Sequence, residues 1–556
     1  MFYIFRHLST LLLVTALVLY FVLSLGFVTE MGIVGEVAWS WMVGHPGPVE
    51  ITGQDAHQWG PFVGGYTRPI EHLEIGSLSL PLAINSYTGG LADWPSRLLA
   101  AAGASFETTM ILHTSLAAVL LILTHRFLRI HGSLIAASAT VLLLSTDWIF
   151  VFFHRALGGT EVLLQACSLL CLWAVWSRRW AGGRHGLTGL ALGIGLGLMA
   201  KLTFILTIVA LALTTLLMRW DKPRLRPPLP DRPWILALAV TIPMIPMIIT
   251  WVHHQLAMPL SIPSHDYPGL QFDRVWATLS GEARPARESI SALVSYLGDS
   301  CSFLSAAWQA EAPSAFSPWR LLGWLFIVAG WAIAWKDRHG SPRLALTRFC
   351  SVFLLLQVSL IWLVARDLHH LAVTTPTLMI VAGLSLELVA GKITPPKSLA
   401  RWAWVLLLAF PWMVAGVQSL HMTDDVLRSI ERPTVTKSGQ QQLVTLLQQN
   451  KVQKVVTMDY ETAGALDLLL PDVEFSHAWL RIAQERKSAL PSLVSQACGD
   501  HLLVIPKAPS WTYNLKPRES DLVQAAVSDD CVPEVVDRLP DGAAVLYAVG
   551  PRTDRP

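Results

Sequence analysis

The feature that most constrains this chain is a series of apolar runs, each about as long as a membrane is thick. A helix that crosses the hydrocarbon core needs ~20 mostly apolar residues. Windows of that kind fall near 9–28, 108–126, 132–153, 160–177, 186–201, 203–219, 233–254, 319–335, 349–365, 371–390 and 402–420, which makes about eleven spans. The composition agrees: 53% of the residues are hydrophobic and only 14% are charged, where a soluble chain carries roughly a quarter. A net charge of +2 gives no footprint for nucleic acid. The abundant tryptophans suit lipid–water boundaries. The first run begins after a short basic start at Arg6 and resembles a signal peptide. It is read as an uncleaved span, because it is long for a signal sequence and no small-x-small cleavage site follows it.

Basic residues then set the expected orientation. With the N-terminus in the cytoplasm, the inside connections carry Arg126 and Arg129; Arg178, Arg179 and Arg184; Arg219, Lys222, Arg224, Arg226 and Arg232; Lys336, Arg338, Arg343 and Arg348; and Lys392, Lys397 and Arg401. Every alternate loop is basic, the pattern of cytoplasmic loops. This organisation predicts a transmembrane domain over 1–420 with outer loops 29–107 and 255–318, parts of which have the amphipathic character of segments that lie along a membrane surface.

The predicted outer tail, 421–556, has a different pattern. Residues 440–450 read as an amphipathic helix, and 454–459, 501–506 and 543–549 as buried strands. Strands alternating with helices predict a small soluble α/β domain. The fold class expected is therefore an α-helical polytopic membrane protein with a C-terminal soluble α/β domain. Cys498 and Cys531 both fall in the tail, where an outside location permits a disulfide, and a bond between them is expected. Cys167, Cys171 and Cys350 fall in or near spans as small apolar residues. Cys301 stands alone outside, and no Cys/His spacing resembles a zinc site.

Charged groups near span ends point to chemistry. Glu30 directly follows the first span and Glu36 lies six residues on. His154 and Arg155 close the third span, and Glu161 opens the fourth. Lys201 ends a Gly-rich fifth span with Gly186, Gly189, Gly193, Gly195 and Gly197. Arg366, Asp367, His369 and His370 join the ninth and tenth. All are expected at the outer face. The cations Lys201, Arg155 and Arg366 suit a phosphate whose lipid tail lies in the bilayer, and a carboxylate suits deprotonation or orientation of an acceptor hydroxyl or amine. The bland alternatives are cations that snorkel to anchor helix ends, solvated loop carboxylates, and histidines in interfacial packing.

Taken in order, these residues resemble the GT-C membrane glycosyltransferases, among them the protein O-mannosyltransferases, the lipid A aminoarabinose transferases and the RgtA/B/C/D-like enzymes. Phe27-Val28-Thr29-Glu30 is similar to the acidic motif after the first span. Asn85-Ser86-Tyr87-Thr88-Gly89-Gly90-Leu91, with Gly103-Ala104-Ser105, resembles the later first loop. Phe153-His154-Arg155, the run from Gly193 to Lys201 with Phe204, and Asp367-Leu368-His369-His370-Leu371 with Pro376 resemble later motifs. The resemblance covers roughly 9–390. Two departures stand out: a lone Glu30 leaves Glu30 and Glu36 as alternative acids, and the acid expected shortly after Arg155 is absent, with Glu161 a partial substitute.

The resemblance implies an inverting glycosyltransferase that takes a sugar from a polyprenyl-phosphate donor on the outer face. Glu30 or Glu36 would act on the acceptor, Lys201, Arg155 and Arg366 would hold the donor phosphate, and Tyr87, Asp367, His369 and His370 would bind substrate. The acceptor would be lipid, glycan or protein. The family allows a divalent metal, for which the sequence offers no clear ligand set. Basic inside loops and an external disulfide fit a bacterial inner membrane with a periplasmic tail. The competing readings are a lipid or glycan transporter, favoured by Pro243 and Pro246 in the seventh span but not by any internal repeat, and a non-catalytic scaffold.

Overall fold

A computed structural model describes residues 2–27, 72–76, 78–81, 90–104, 106–156, 159–181, 186–218, 317–337, 341–364, 368–395, 398–429, 436–457, 472–477, 490–505, 531–539 and 544–551, with isolated positions between these ranges. The described residues up to Met422 belong to one compact unit and those from Thr423 onward to a second.

The first unit is helical: α1 (Phe2–Gly26), α2 (Trp94–Ala101), α3 (Phe106–His131), α4 (Leu134–Thr146), α5 (Trp148–Ala156), α6 (Gly159–Ala181), α7 (Gly186–Ala200), α8 (Ile205–Leu217), α9 (Pro318–Lys336), α10 (Pro342–Val364), the single turn α11 (Leu368–Leu371), α12 (Thr375–Ile393) and α13 (Leu399–Ser429). A hairpin of β1 (His72–Ile75) and β2 (Leu78–Pro81) precedes a 3-10 turn, Gly90–Asp93. Among the described residues, seven helices are long and apolar enough to cross a membrane, eight if the bent pair α4–α5 is one span; α7 and α8 are shorter apolar helices. The chain is an integral membrane protein. Each expected span coincides with a described helix except 233–254, where only scattered helical residues between 234 and 245 are described.

The third span is broken rather than straight. At Asp147 the chain turns by 54°. Asp147 leaves helical dihedrals (φ −68, ψ 123), and its carboxylate starts the next helix by accepting the amide of Phe150 (3.2 Å), as an N-cap does. Its other oxygen meets Arg320 Nη1 at 3.1 Å, with both side chains buried. The guanidinium also lies 3.7 Å over the Trp412 ring.

Polar side chains hold the apolar helices in register. Ser9 on α1 bonds both His125 on α3 and Ser138 on α4 (2.9 Å each), and Thr140 donates to the carbonyl of Met379 on α12. Between lipid-facing helices there is little hydrophobic drive, so such bonds and close packing determine who neighbours whom. These contacts also define two ends of the bundle. At one end Glu387, 3% exposed, accepts from Ser133 and from Arg343 (3.0 Å) and lies 3.8 Å from Arg401. Arg401 also reaches the Glu387 carbonyl (3.2 Å), and Arg348 caps the end of α9 through the carbonyls of Ala334 and Asp337. Part of the basic character expected of cytoplasmic loops is thus tied to a single buried carboxylate and to a helix C-terminus, where cations are favoured.

The second unit is a five-stranded sheet in the order β4-β3-β5-β7-β6, built from β3 (Lys454–Thr457), β4 (Glu474–His477), β5 (His501–Val504), β6 (Cys531–Arg538) and β7 (Val545–Pro551). Strands β4, β3 and β5 are parallel, and β7 and β6 run antiparallel to their neighbours. Helix α14 (Lys437–Gln449) covers one face through Leu443 and Leu447 over Val455, Leu503 and Leu546. Helix α15 (Leu490–Gln496) covers the other through Leu493 and Val494 with Val456, Leu502, Val504 and Tyr547. Burial on both faces explains why β3 and β5 are continuous apolar runs. A disulfide joins Cys498, after α15, to Cys531 at the start of edge strand β6 (Cα–Cα 5.8 Å).

Two outcomes are expected from these contacts. Glu387→Leu strands Arg343 and Arg401 and should destabilise the protein by ~3 kcal/mol, read as a lower midpoint of thermal unfolding in detergent; Glu474→Gln, which removes the exposed partner of Lys454, should shift it by less than ~1 kcal/mol. Cys498→Ser should lower the stability of the sheet by ~2–4 kcal/mol, read as faster proteolysis of the tail, and reductant should reproduce the effect in the unmutated chain.

Candidate functional site

The other end of the bundle carries those of the groups singled out for chemistry that the structure describes. Helix α1 finishes there at Gly26, with Phe27 against His421 of α13 (ring centroids 6.2 Å). So do α5, whose last turn carries His154 and Arg155, the start of α6 with Glu161 in its first turn, the end of α7, and α11 with the 3-10 turn Ala372–Thr374 that follows it. The turn Gly90–Asp93 packs on α6 and α7, and the turn Ala372–Thr374 packs on α5 and α6.

Lys201 sits between α7 and the 3-10 turn Leu202–Phe204 and is 4% exposed. The local sequence explains its burial. Gly197 faces the Phe204 ring so closely that a Cβ there would lie 2.3 Å from two ring atoms, and a Cβ on Gly193 would lie 2.6 Å from Cys171 Sγ of α6. The glycines let α7 lie against α6 and let Phe204 fold back over it. The chain therefore reverses at Lys201, with Lys201 N–H on Gly197 O (3.0 Å) and Phe204 N–H on Lys201 O (2.9 Å). Burying an unpaired ammonium costs several kcal/mol, and Lys201, like Arg155, interacts with its surroundings.

Beside this reversal is a cleft lined by Leu164, Thr203, Phe204, Leu206, Thr207, Ile361, His370 and Val373. Its walls are mostly apolar, on α6, α8 and α10. Gln357 of α10 ties these helices together by donating to Thr207 Oγ1 (3.0 Å) and Ser168 Oγ (3.4 Å). The cleft brings His370 to the residues that directly follow Lys201. The cleft is small, and its polar lining groups are Thr203, Thr207 and His370.

A second polar group lies behind it. His113 of α3 bonds Ser96 of α2 (2.9 Å). Gln165 of α6 donates to the Ala372 carbonyl (2.9 Å). His154 is fully buried beside Gln165 and His113, its ring edge-on to Phe150 at 4.1 Å. Tyr296 is also buried and shares a 2.5 Å hydrogen bond with Thr374.

Of the sequence candidates, Lys201, Arg155 and His370 are therefore on elements that meet at one end. Glu30, Glu36, Tyr87, Arg366 and Asp367 lie outside the described residues, as does the side chain of His369. Among the described residues no three His, Cys, Asp or Glu side chains are grouped as a metal ion would require. Sequence reasoning passed over His113, Gln165 and Tyr296. The first two interrupt apolar runs, and a polar group inside a span is itself a signal; Tyr296 carries no such mark.

No protein-family model matches the chain, and no curated protein matches it. Solved structures do. ArnT from Cupriavidus metallidurans in the apo state is similar over 98% of this chain and 98% of its own, with 13% identity and a TM-score of 0.53. The same protein bound to undecaprenyl phosphate gives 97% and 97%, 12% identity and 0.53. The oligosaccharyltransferase AglB from Archaeoglobus fulgidus, in complex with an inhibitory peptide and a dolichol-phosphate, covers 99% of this chain and 75% of its own at 11% identity and 0.46. The likeness to ArnT shows that this chain shares its fold.

The packing at Gly197 makes a specific expectation. Gly197→Ala should cost ~1–3 kcal/mol through overpacking against the Phe204 ring. Gly189→Ala, whose new Cβ meets its nearest atom at an ordinary 3.5 Å, should leave the unfolding midpoint unchanged or slightly raised. Thermal unfolding of both variants in one detergent checks the contrast.

Proposed function

We propose that the chain is a GT-C glycosyltransferase that moves a sugar from a polyprenyl-phosphate-linked donor to a lipid, glycan or protein acceptor on the extracytoplasmic face of the membrane, with inversion at the sugar. The observation that carries this reading is Lys201: a buried cation at a glycine-enforced reversal, next to an apolar cleft between α6, α8 and α10. In this reading the polyprenyl chain lies among the spans, with its phosphate near Lys201, Arg155 and Arg366. In support, an ArnT of the same fold was solved with undecaprenyl phosphate bound.

In this reading residues 1–420 form the transmembrane catalytic domain and 421–556 an extracytoplasmic α/β domain. The N-terminus is cytoplasmic, and the membrane is a bacterial inner membrane. The chain leaves α1 at Phe27, three residues before Glu30, at the end that carries Lys201. Glu30, or Glu36 in its place, would take the proton of the acceptor hydroxyl or amine as that atom attacks the anomeric carbon. The bond from that carbon to the phosphate oxygen breaks, and polyprenyl phosphate leaves with its new charge held by the cations. Tyr87, Asp367, His369 and His370 would position the substrates. A divalent metal is compatible with this reading, with no ligand set assigned to it.

The test is label transfer from radiolabelled undecaprenyl-phosphate sugars to a membrane extract by the purified protein. Glu30→Gln should lower transfer by ~10²-fold or more with Glu36→Gln near wild type, and Lys201→Ala should weaken donor binding by ~10-fold or more. Wild-type protein that transfers no sugar from any donor would end the reading and favour a transporter or a scaffold.

A further inference from the structure

A charge pair buried inside a bundle is costly to desolvate, and an apolar pair of similar volume is often as stable. Asp147 and Arg320 form such a pair, 3.1 Å apart, with side chains 0% and 2% exposed. Stability alone does not explain it, because Nη2 of Arg320 is buried without a hydrogen-bond partner. A bend alone needs no charge, since proline or glycine supplies one. What the pair adds is a fixed geometry on both of its sides.

On the first side is α5. Asp147 caps it through the Phe150 amide, and α13 closes on the bend at Gly416, where a Cβ would lie 2.0 Å from the Thr146 carbonyl oxygen. One turn earlier on α13, Trp412 lies against the Arg320 guanidinium. Gly323 of α9 closes on the same ring, with a Cβ position 2.6 Å from it. The bend is thus packed from α9 and α13 as well as bonded. At a rise of ~1.5 Å per residue, Arg155 lies ~12 Å along α5 from Asp147, so a change of ~10° at the bend would move it by ~2 Å.

On the second side is the cleft. Arg320 Nε and Trp324 Nε1 both donate to the Leu297 carbonyl (3.4 and 2.6 Å). The adjacent Tyr296 is bonded to Thr374. The Thr374 hydroxyl itself donates to the Leu371 carbonyl (2.7 Å), so the tyrosine is the donor. Leu371 follows His370, and His370 and Val373 line the cleft. One pair therefore reaches both the helix that carries Arg155 and the turn that carries His370.

We infer that Asp147 and Arg320 are positioning residues of the donor site, which set Arg155 relative to His370 for binding of the donor's phosphate. Neither touches the donor itself. The inference rests on the glycosyltransferase reading above and deepens it by naming what holds the two sides of that site in register.

The experiment measures binding of undecaprenyl phosphate to the purified full chain alongside its unfolding midpoint. Asp147→Asn with Arg320→Met keeps the cap acceptor and strands no charge, so the midpoint should stay within ~3 °C of wild type. Binding should weaken about tenfold. In an Arg155→Ala background the same double change should weaken binding by about threefold or less, because positioning acts largely through Arg155. Tyr296→Phe leaves the pair intact and cuts the link to Thr374, and it should weaken binding about threefold. Glu387→Leu supplies the contrast: it lowers the midpoint and should leave the affinity of the folded protein within about twofold of wild type. A double change at the pair that leaves affinity unaltered would overturn the inference, and so would a tenfold loss that persists in the Arg155→Ala background. Should the double variant not fold, Tyr296→Phe carries the test, and unchanged binding by it would overturn the inference. Wild-type protein that binds no undecaprenyl phosphate would instead end the glycosyltransferase reading, a result distinct from these.

Discussion

The geometry of the transmembrane unit depends on one buried ion pair. Asp147 ends α4, caps α5 and binds Arg320, so a single carboxylate both breaks the span and fixes the direction of α5. A pair removed from water recovers its desolvation penalty only when the remaining hydrogen-bonding positions are also used. Here they largely are: the second Asp147 oxygen takes the Phe150 amide, Arg320 Nε reaches the Leu297 carbonyl at 3.4 Å, and the guanidinium plane lies on Trp412. The bend is thus clamped from α9 and α13. Without it α5 would continue the line of α4, and Arg155 and His154 would leave the bundle in another direction. Tyr296, the neighbour of Leu297, bonds Thr374, so the same clamp steadies the turn that receives Gln165.

Both ends of the bundle bury polar groups. Around Glu387, carboxylate and cations satisfy one another, and Ser133 completes the set. Such a network serves structure: the carboxylate accepts from Ser133 and Arg343, and Arg401 reaches the Glu387 carbonyl while its Nε has no hydrogen-bond partner. At the Lys201 end, Nδ1 of His113 on α3 is buried without a hydrogen-bond partner. In a low-dielectric interior such an atom is costly.

Much of the fold was legible in the sequence because its signals are long and local. A run of ~20 apolar residues in lipid has few alternatives to a helix, and the strands β3 and β5 read as buried because helices cover both faces of the sheet. What escaped was non-local. The bend at Asp147 depends on Arg320, far along the chain. Strands β4 and β6 escaped for another reason: they lie at the sheet edges, where β6 alternates buried and exposed residues and contains Pro533, and edge strands carry weaker patterns. At the site, Lys201 stood out through its glycines, but His113 and Gln165 looked like isolated polar residues until the helices brought them together.

The glycines of α7 show how membrane packing changes the meaning of a residue. In water, each glycine inside a helix is destabilising by ~0.5–1 kcal/mol relative to alanine, and Gly186, Gly189, Gly193, Gly195 and Gly197 together would argue against a helix. In lipid the hydrophobic effect no longer separates buried from exposed apolar surface, and close backbone approach becomes the main attraction. Contact with Cys171 at Gly193 and with Phe204 at Gly197 turns the same residues into the reason the helix holds its place. A bulkier helix would stand off from α6 and move the reversal outward, and the ammonium of Lys201 would emerge toward solvent. The composition that weakens the helix in isolation is what places its terminal cation inside the protein.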